Sequence, residues 1–380
     1  MANNPPVLQH TNVEPQIDIG RGMRHAISAH GKGMWSQISE IWRLRFGRGK
    51  LDPKEYYYYR LYDDDAYSYE EKQRFLGKAC WNRIYHQCNA HNWWATAHDK
   101  LAFYALLRGQ NLPLPENRAL FHPFRRCGDL PVLTSMVALA EHLRTQMVYP
   151  VFAKPVTGIR SVGVAGIQRF DQAADALVLH DGREVPVDDY VREVEAYRDD
   201  GYLFQEMLQP HPGIARICGN RLTTLRLVVG IEDDGPVLMH ALWKVPVGDN
   251  PADNFWRPGN LLGALDPQSG EVRRVISGVG PDQAEVETHP DTGERLLGVT
   301  LPDWPAAVAL CRDAASMFIG LRLQAWDVAL TDRGPVLIEV NIGGDFNLPQ
   351  LALGAGLMDQ KFTDFLGRTG QAANDSKKAA

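Results

Sequence analysis

The 380-residue sequence lacks the features that mark several common classes of protein. No run of about 18 apolar residues occurs, so no membrane-spanning helix is predicted. The five cysteines include no C-x-x-C pair and no neighbouring histidine cluster, which argues against a disulfide framework or a zinc site. The net charge of −6 gives no overall attraction to nucleic acid or to an anionic membrane, although a local basic cleft is not excluded. We therefore expect a soluble, cytoplasmic protein with no nucleic-acid partner and no membrane insertion.

The sequence pattern changes from helical to strand-rich near Val148. Between Trp35 and Arg108, apolar residues recur at steps of three and four. After Val148, short β-type runs alternate with glycine and proline turns, and the sequence as a whole predicts an α+β protein. The expected parts are a disordered N-terminus (1–20), a helical section (21–98), a main domain (99–370) with lobes at about 148–210 and 211–370, and a disordered tail (371–380).

The predicted elements of the main domain are a few helices and seven strands. One helix is predicted to open at Asp99-Lys100 and to end near Gly109. Asp303 is expected to act as the N-cap of another helix over 304–321. The predicted strands cover 151–154, 162–167, 202–208, 223–231, 237–245, 324–331 and 336–341.

The most informative stretch is a predicted hairpin that carries two acidic residues. Two alternating runs flank Asp332-Arg333-Gly334, and glycine supplies the positive φ that a three-residue loop requires. Such a loop pairs Thr331 with Pro335 and Asp327 with Glu339. A loop one residue shorter or longer would separate the two acids.

Side-chain alternation along this hairpin predicts one polar and one apolar face. The polar face carries Asp327, Glu339 and Asn341, whereas Trp326 and Ile338 lie on the apolar face. Two carboxylates directly opposite each other are unfavourable unless a divalent cation lies between them, and Mg²⁺ prefers such oxygen ligands. An ordinary solvated polar face accounts for the same pattern equally well.

Two further segments carry cations that suit phosphate groups. Lys154 ends a strand and precedes a loop with Gly158, whose backbone N–H groups can meet phosphate oxygens, although glycine loops are common and neither a Walker A nor a G-x-G-x-x-G motif occurs. In a second hairpin, Arg226 and Lys244 share a strand face with His240. Two cations on one face suit a transferring phosphoryl group, but a solvated basic face is an equal alternative.

Taken in chain order, these segments resemble the ATP-grasp superfamily, and within it the sugar-transfer-associated ATP-grasp proteins. The resemblance covers about residues 35–365. It is carried by Asp99-Lys100, Ala153-Lys154-Pro155 with Gly158 and Gly163, Phe204-Gln205-Glu206, Thr224-Leu225-Arg226, Asp253-Asn254-Phe255, and Trp326-Asp327-Val328 followed by Ile338-Glu339-Val340-Asn341.

The resemblance implies an ATP-grasp fold, in which two α+β lobes hold ATP with one or two Mg²⁺ ions, or Mn²⁺ in their place. The nucleotide lobe is then about 148–210 and the metal lobe about 211–370. The implied roles are nucleotide binding by Lys100, Lys154, Thr157, Ser161, Gln205 and Glu206; metal binding by Asp327, Glu339 and Asn341; catalysis by Arg226 and Lys244; and substrate binding by Asn254, Asn260 and His240.

The resemblance also implies a reaction class. Its members join a carboxylate to a nucleophile, usually an amine, through an acyl-phosphate and release ADP, here in polysaccharide or natural-product biosynthesis. The partners would be a small carboxylate and an amine. Two alternatives remain open: a phosphotransferase on the same fold, and a non-catalytic nucleotide-binding protein.

Overall fold

The computed structural model describes residues 7–8, 15–158, 161–248, 250, 252–343 and 345–379, with side chains as far as Thr369. Within these ranges the helices are α1 (Ile19–His30), α2 (Met34–Phe46), α3 (Pro53–Tyr58), α4 (Tyr69–Lys72), α5 (Lys78–Cys88), α6 (Trp94–His98), α7 (Lys100–Arg108), α8 (Met136–Thr145), α9 (Val187–Val194), α10 (Pro212–Cys218), α11 (Trp304–Ala315), α12 (Asn347–Leu353) and α13 (Gln360–Ala379). None of these helices combines the length and the apolar character that crossing a membrane requires.

The strands of the described ranges form two sheets, which confirms the α+β class. They are β1 (Asn117–Phe121), β2 (Val132–Leu133), β3 (Val151–Pro155), β4 (Ala165–Asp171), β5 (Ala176–Leu179), β6 (Glu184–Pro186), β7 (Tyr202–Glu206), β8 (Thr224–Glu232), β9 (Gly235–Val245), β10 (Leu261–Leu265), β11 (Val272–Ser277), β12 (Ala284–Glu285), β13 (Leu323–Thr331) and β14 (Gly334–Ile342). The strand orders are β2-β1-β7-β3-β4-β5-β6 and β12-β11-β10-β9-β8-β13-β14.

The helical section predicted before residue 108 is present as α1 to α7. The helix predicted to open at Asp99-Lys100 is α7, and Asp99 caps it, because its side chain accepts hydrogen bonds from the N–H groups of Leu101 and Ala102 at 2.9 and 3.1 Å. Tyrosines 56–59 are all buried, in agreement with the packing role that an aromatic run predicts. The section packs on β9, β10 and α12, so it flanks the second sheet.

The first sheet uses residues that precede the lobe predicted from about 148. β1 pairs with β7 in antiparallel orientation and with β2 in parallel orientation, so 117–133 belongs to the same sheet as 151–206. One face of this sheet packs against α8 and α9 through an apolar core that includes Phe121, Ile167 and Phe204. The opposite face is left to line a cleft.

The second sheet is antiparallel and carries its main core on the face covered by α7, α10 and α11. Leu225, Leu227 and Val229 lie in that core, as the alternation along the strand predicts. Arg226 and Lys244 point to the opposite face, where Leu242 packs against the helical section and α12 and Lys244 lines the cleft.

The acidic hairpin pairs Asp327 with Glu339 as predicted, but its turn is shorter than expected. Thr331 pairs with Gly334 rather than with Pro335, so the register near the turn is one residue off. A bulge between Asp327 and Val328 inserts Ile338 as an extra residue and restores the predicted pairing at the acids. The bulge also turns Ile338 into the cleft, whereas side-chain alternation predicted that Ile338 lies on the apolar face.

Two predictions fail in the structure: one concerns the ends of helix α11, and the other concerns the C-terminal tail. Asp303 lies in the left-handed region (φ 53°) and its side chain accepts no cap hydrogen bond from the described helix α11, which ends at Ala315 rather than near 321. The tail after Gln371 continues α13 instead of being disordered, because the helix is anchored by the buried Phe362 and Phe365 and its last residues are rich in alanine and lysine. Of the predicted disordered N-terminus, residues 1–6 and 9–14 lie outside the described residues, and α1 begins at Ile19.

Candidate functional site

A cleft between the two sheets collects most of the predicted site residues. The first sheet contributes Lys154, Gln205 and Glu206, and the second contributes Lys244, Asp327 and Glu339. Lys100 enters from the first turn of α7, and Ser161 from the loop after β3. Residues separated by up to 239 positions in the chain therefore meet because the two sheets face each other.

Asp327 is the centre of a buried ion-pair network on the second sheet. Lys244 Nζ donates to Asp327 Oδ2 at 3.0 Å, and Arg226 Nη2 donates to the same oxygen at 3.3 Å. Arg226 Nε lies 2.6 Å from Oδ1 but is poorly aligned for a hydrogen bond, so this contact is electrostatic. Burial alone would lower the pKa of Arg226, yet Asp327 and Glu339 outweigh it and raise that pKa.

Asp253 lines the cleft, although the sequence identifies it only as part of the Asp253-Asn254-Phe255 segment and indicates no individual role for it. It accepts a hydrogen bond from Thr224 Oγ1 at 2.6 Å and lies 3.7 Å from Lys244 Nζ. Burial raises the pKa of its carboxyl, and the neighbouring Lys244 opposes this shift. Burial also lowers the pKa of Lys244, but Asp253 and Asp327 together outweigh burial and raise it. Asp253 and Asp327 thus hold Lys244 charged from two sides.

Glu339 lies opposite Asp327 and belongs to a second charge cluster. Its Oε2 is 3.7 Å from Lys100 Nζ, and its Oε1 accepts a hydrogen bond from Asn341 Nδ2 at 3.4 Å. Burial would raise the pKa of the Glu339 carboxyl, but the surrounding cations, led by Lys100 and Lys154, lower it to about 2. Glu339 is therefore ionised at neutral pH, and 29% of its side chain is exposed to the cleft.

Lys100 and Lys154 are buried at the cleft, and the carboxylate nearest to Lys100 is Glu339 at 3.7 Å. Burial lowers the pKa of Lys154 to about 8 and also lowers that of Lys100, against the attraction of Glu339. Lys100 Nζ donates to the carbonyl oxygen of Gly158 at 2.7 Å. Lys154 Nζ donates to the hydroxyl of Tyr104 at 3.2 Å. Both ammonium groups would be stabilised by an anion entering the cleft.

Tyr104 is a second residue that the sequence pattern did not single out. Its side chain is buried, and its hydroxyl donates to the carbonyl oxygen of Ile338 at 2.8 Å while lying next to Lys154. It therefore connects α7 to the bulge of β14 and to the end of β3. The helical pattern of α7 predicts only that Tyr104 packs inward, because its partners are distant in the sequence.

Gln205 and Glu206 line the cleft near the end of β7. Gln205 Nε2 donates to Asn117 Oδ1 at 2.7 Å. Glu206 forms an ion pair with Arg333 and accepts a hydrogen bond from the N–H of Glu116 at 2.8 Å. Burial would raise the pKa of Glu206, but Arg333 and the Glu116 N–H group lower it.

Ser161 links the loop after β3 to the second lobe. Its backbone has a positive φ of 56°, and its carbonyl oxygen accepts a hydrogen bond from Arg257 Nη2 at 3.1 Å. Thr157, on the same loop, is exposed and does not appear among the described residues that line the cleft. Residues 159–160 of the loop lie outside the described residues.

The three residues expected to bind substrate do not line the described part of the cleft. Asn260 is buried, and its side chain fixes its own loop by contacts with Val247, Asn250, Ala252 and Asn254. Asn254 accepts a hydrogen bond from the N–H of Trp256 at 3.2 Å. His240 shares the strand face of Lys244, but it lies near Asp359 and Lys361, and burial lowers its pKa to about 4. Leu242 lies between His240 and Lys244 on the same strand face. The prediction that His240 lies in the cleft rested only on this shared face, which does not show how far along the strand the cleft extends.

The donor set at the hairpin suits a Mg²⁺ ion that also binds phosphate. Mg²⁺ is usually held by one or two carboxylates together with phosphate oxygens and water. Glu339 is ionised and accessible, and the Asn341 side chain lies beside it. The described residues contain no group of three or more His, Cys, Asp or Glu side chains that could hold a metal without such additional ligands. Both oxygens of Asp327 contact cations, so Glu339 is the more available carboxylate.

Structural comparison aligns the chain with several solved structures at low sequence identity. It aligns with the N5-carboxyaminoimidazole synthase from Aspergillus clavatus in complex with ADP and 5-aminoimidazole ribonucleotide (12% identity, 73% of this chain and 58% of that one, TM-score 0.38). It also aligns with the D-alanine-D-alanine ligase from Coxiella burnetii (11%, 74% and 60%, TM-score 0.42). A third is the L-amino acid ligase from Bacillus licheniformis (16%, 71% and 50%, TM-score 0.40). The chain thus spans less than two thirds of the length of each.

Sequence comparison gives the family directly. No curated protein matches the chain by sequence. The profile of the sugar-transfer-associated ATP-grasp family matches residues 81–364, which is most of the chain and includes every strand of both sheets. This range begins within α5 and therefore leaves out α1 to α4. The chain belongs to the sugar-transfer-associated ATP-grasp family.

Proposed function

We propose that the chain is an ATP- and Mg²⁺-dependent ligase that activates a carboxylate as an acyl-phosphate and transfers the acyl group to an amine, with release of ADP. The observation that carries the proposal is a cluster of four cations that are each at most 8% exposed. Lys100, Lys154 and Lys244 line one cleft, and Arg226 contacts Asp327, which also lines it. Burying four cations is costly unless anions compensate for them. A polyphosphate chain and a carboxylate supply such anions.

The cations divide into two pairs with different tasks. Burial lowers the pKa values of Lys100 and Lys154 more than the neighbouring Glu339 raises them, so both lysines are suited to bind the phosphate groups of ATP. Arg226 and Lys244 are held in place by Asp327, and they are suited to offset the charge of the phosphoryl group as it moves to the carboxylate.

We expect Arg226 and Lys244 to act also in the second half of the reaction, in which the amine attacks the acyl-phosphate. Attack of an amine on the acyl carbon places negative charge on oxygen before phosphate leaves, and Lys244 and Arg226 lie on the side where this charge would develop. No side chain is assigned as a nucleophile, because positioning and electrostatic stabilisation account for this chemistry. Asp253 is positioned to keep Lys244 oriented through these steps.

Metal binding is assigned first to Glu339, with Asn341 beside it and Asp327 opposite. A Mg²⁺ ion held by these residues would offset the negative charge of the phosphate groups. For Asp327 to join the metal, Lys244 would have to exchange its carboxylate partner for a phosphate oxygen. Gln205 and Glu206 are assigned to the nucleoside end of the cleft, with Ser161 on the loop that faces the phosphates.

The test is a screen of carboxylic acids in the presence of ATP, Mg²⁺ and hydroxylamine, which traps an acyl-phosphate as a hydroxamate. The proposal expects a hydroxamate together with ADP and free phosphate, and loss of orders of magnitude in rate for Glu339→Gln. Glu285→Gln is the matched control, since Glu285 lies on an edge strand away from the cleft. A phosphorylated product that does not react with hydroxylamine would instead indicate a phosphotransferase. Full activity of Glu339→Gln would contradict the metal assignment.

A further inference from the structure

Helix α2 buries two polar residues, Gln37 and Glu40, beside Leu44, and exposes several large apolar residues on its other side. Gln37 and Glu40 are 0% and 4% exposed, and they accept hydrogen bonds from the hydroxyls of Tyr57 and Tyr56 at 2.8 and 2.7 Å. Trp35, Trp42 and Phe46 are 77%, 65% and 64% exposed. A helix of a soluble domain normally shows the opposite arrangement.

The exposed apolar residues form one continuous stripe. We define the α2 stripe as Trp35, Ile38, Trp42 and Phe46, which follow one another at steps of three and four and therefore share a helix face. The rings of Trp42 and Phe46 are in contact, with centroids 4.9 Å apart. Single exposed apolar residues need no explanation, but a contiguous aromatic stripe marks an interaction surface.

The segment that carries the stripe is basic. Residues 19–50 contain seven Lys and Arg residues and one carboxylate, Glu40, in a chain whose net charge is −6. Of these cations, Arg21 and Lys32 pair with Asp282 and Asp64 from outside the segment. Arg45 and Arg48 are exposed and form no ion pair with any residue that the structure describes. The Arg43 guanidinium lies 4.7 Å from the centre of the Tyr69 ring, beyond the end of the stripe. Whole-chain composition conceals this local cationic surface.

We propose that the α2 stripe docks the protein on an anionic membrane surface. Tryptophan and phenylalanine flanked by arginine is the composition of helices that lie in the interface between lipid headgroups and acyl chains. The stripe is a protruding edge, which a fluid headgroup layer accommodates without a preformed pocket, and the unpaired arginines match lipid phosphates in charge. The inward hydrogen bonds of Gln37 and Glu40 hold the helix in this orientation before any lipid is present.

Docking of this kind leaves the ATP-grasp cleft free. The stripe lies on α2, before the residues that match the family profile, and none of its members lines the cleft. The proposal is therefore independent of the reaction that the cleft performs. It places the enzyme where a lipid-linked or membrane-bound substrate would be close at hand.

The test is co-sedimentation of the full chain with vesicles of equimolar phosphatidylglycerol and phosphatidylcholine. Wild type is expected to sediment with them and to dissociate as salt is raised, and Trp35→Ser with Trp42→Ser is expected to weaken partitioning at least about tenfold. Arg45→Glu with Arg48→Glu should weaken it to a similar degree, since each basic residue contributes on the order of fivefold near an anionic surface. Ile319→Ser is the control, because Ile319 is 64% exposed on another part of the molecule.

Three results would overturn the proposal. The first is absence of wild-type binding to the anionic vesicles. The second is equal binding by wild type and the tryptophan double variant, provided that circular dichroism shows both to be folded. The third is a wild-type protein that is dimeric in solution and a tryptophan double variant that is monomeric, with neither binding vesicles. That result would assign the stripe to an interface with a second copy of the chain.

Discussion

Replacement of Asp327 by asparagine should destabilise the protein strongly, because Asp327 is the shared partner of two buried cations. Arg226 and Lys244 are each at most 8% exposed, and both contact the carboxylate of Asp327. Removing one member of a buried ion-pair network typically costs about 3–5 kcal/mol, since the remaining charges stay buried without compensation. Lys244 keeps Asp253 at 3.7 Å, so we expect a loss of about 3 kcal/mol rather than the upper value.

The assay for this prediction is urea unfolding of wild type and Asp327→Asn at neutral pH. Asp313→Asn is the matched control, because Asp313 is exposed on α11 and its variant should lie within about 0.5 kcal/mol of wild type. The combination of Asp327→Leu, Arg226→Met and Lys244→Met should recover most of the lost stability while remaining inactive, since apolar residues can replace a buried ion-pair network. A loss below about 1 kcal/mol for Asp327→Asn would refute the reasoning.

Three further predictions concern the cleft and its supports. ATP affinity should be constant below pH 8 and fall above it, and binding should take up protons, because burial lowers the pKa of Lys154 to about 8 and phosphate favours the charged form of the lysine. Calorimetry that shows the same ATP affinity on both sides of pH 8 would contradict this prediction. Tyr104→Phe should cost about 1–2 kcal/mol in urea unfolding and weaken ATP binding, because the carbonyl of Ile338 loses its donor; unchanged values would disprove the connecting role. Gly343→Ala should cost about 1–3 kcal/mol, since Gly343 has a φ of 65° and a Cβ atom would lie 2.2 Å from the Tyr85 ring; wild-type stability would exclude this strain.

The sequence was most informative where the pattern is local and regular. The alternation around Asp327 and Glu339 was sufficient to predict that they face each other, because strand period and turn chemistry act over a few residues. The bulge at Ile338 was not predictable from the sequence. The turn is one residue shorter than predicted and the strand contains one extra residue, so the two differences cancel where Asp327 pairs with Glu339. Only the observed pairing distinguishes this arrangement from an ideal hairpin.

The sequence was least informative where a role depends on contacts between distant segments. Asp253 lines the cleft, and Tyr104 contacts Ile338 and Lys154 beside it, because packing brings the loop after β9 and helix α7 to the same place. His240 shares a strand face with Lys244, yet it lies beyond Leu242 and outside the described lining of the cleft. Alternation predicts the face of a side chain but not how far along the strand a cleft extends.

Several elements were missed because their sequence signals are short or mixed. β1 and β2 have five and two residues, and they join the first sheet only through pairing with β7 and with each other. β10 and β11 continue the second sheet beyond β9, but the glycine of β10 and the charged residues of β11 interrupt any regular pattern. Strand formation here is decided by the neighbouring strands more than by local propensity.

The central claim, a Mg²⁺-dependent nucleotide site built on Glu339, is tested most directly by thermal unfolding with ADP in the presence and absence of Mg²⁺. At roughly 100 times the dissociation constant, nucleotide should add about 2.7 kcal/mol of apparent stability to the wild type. We predict that this stabilisation requires Mg²⁺ and is weakened in Glu339→Gln, whereas Glu285→Gln behaves as wild type. Absence of any shift in the wild type, or a shift that is independent of both Mg²⁺ and Glu339, would contradict the account.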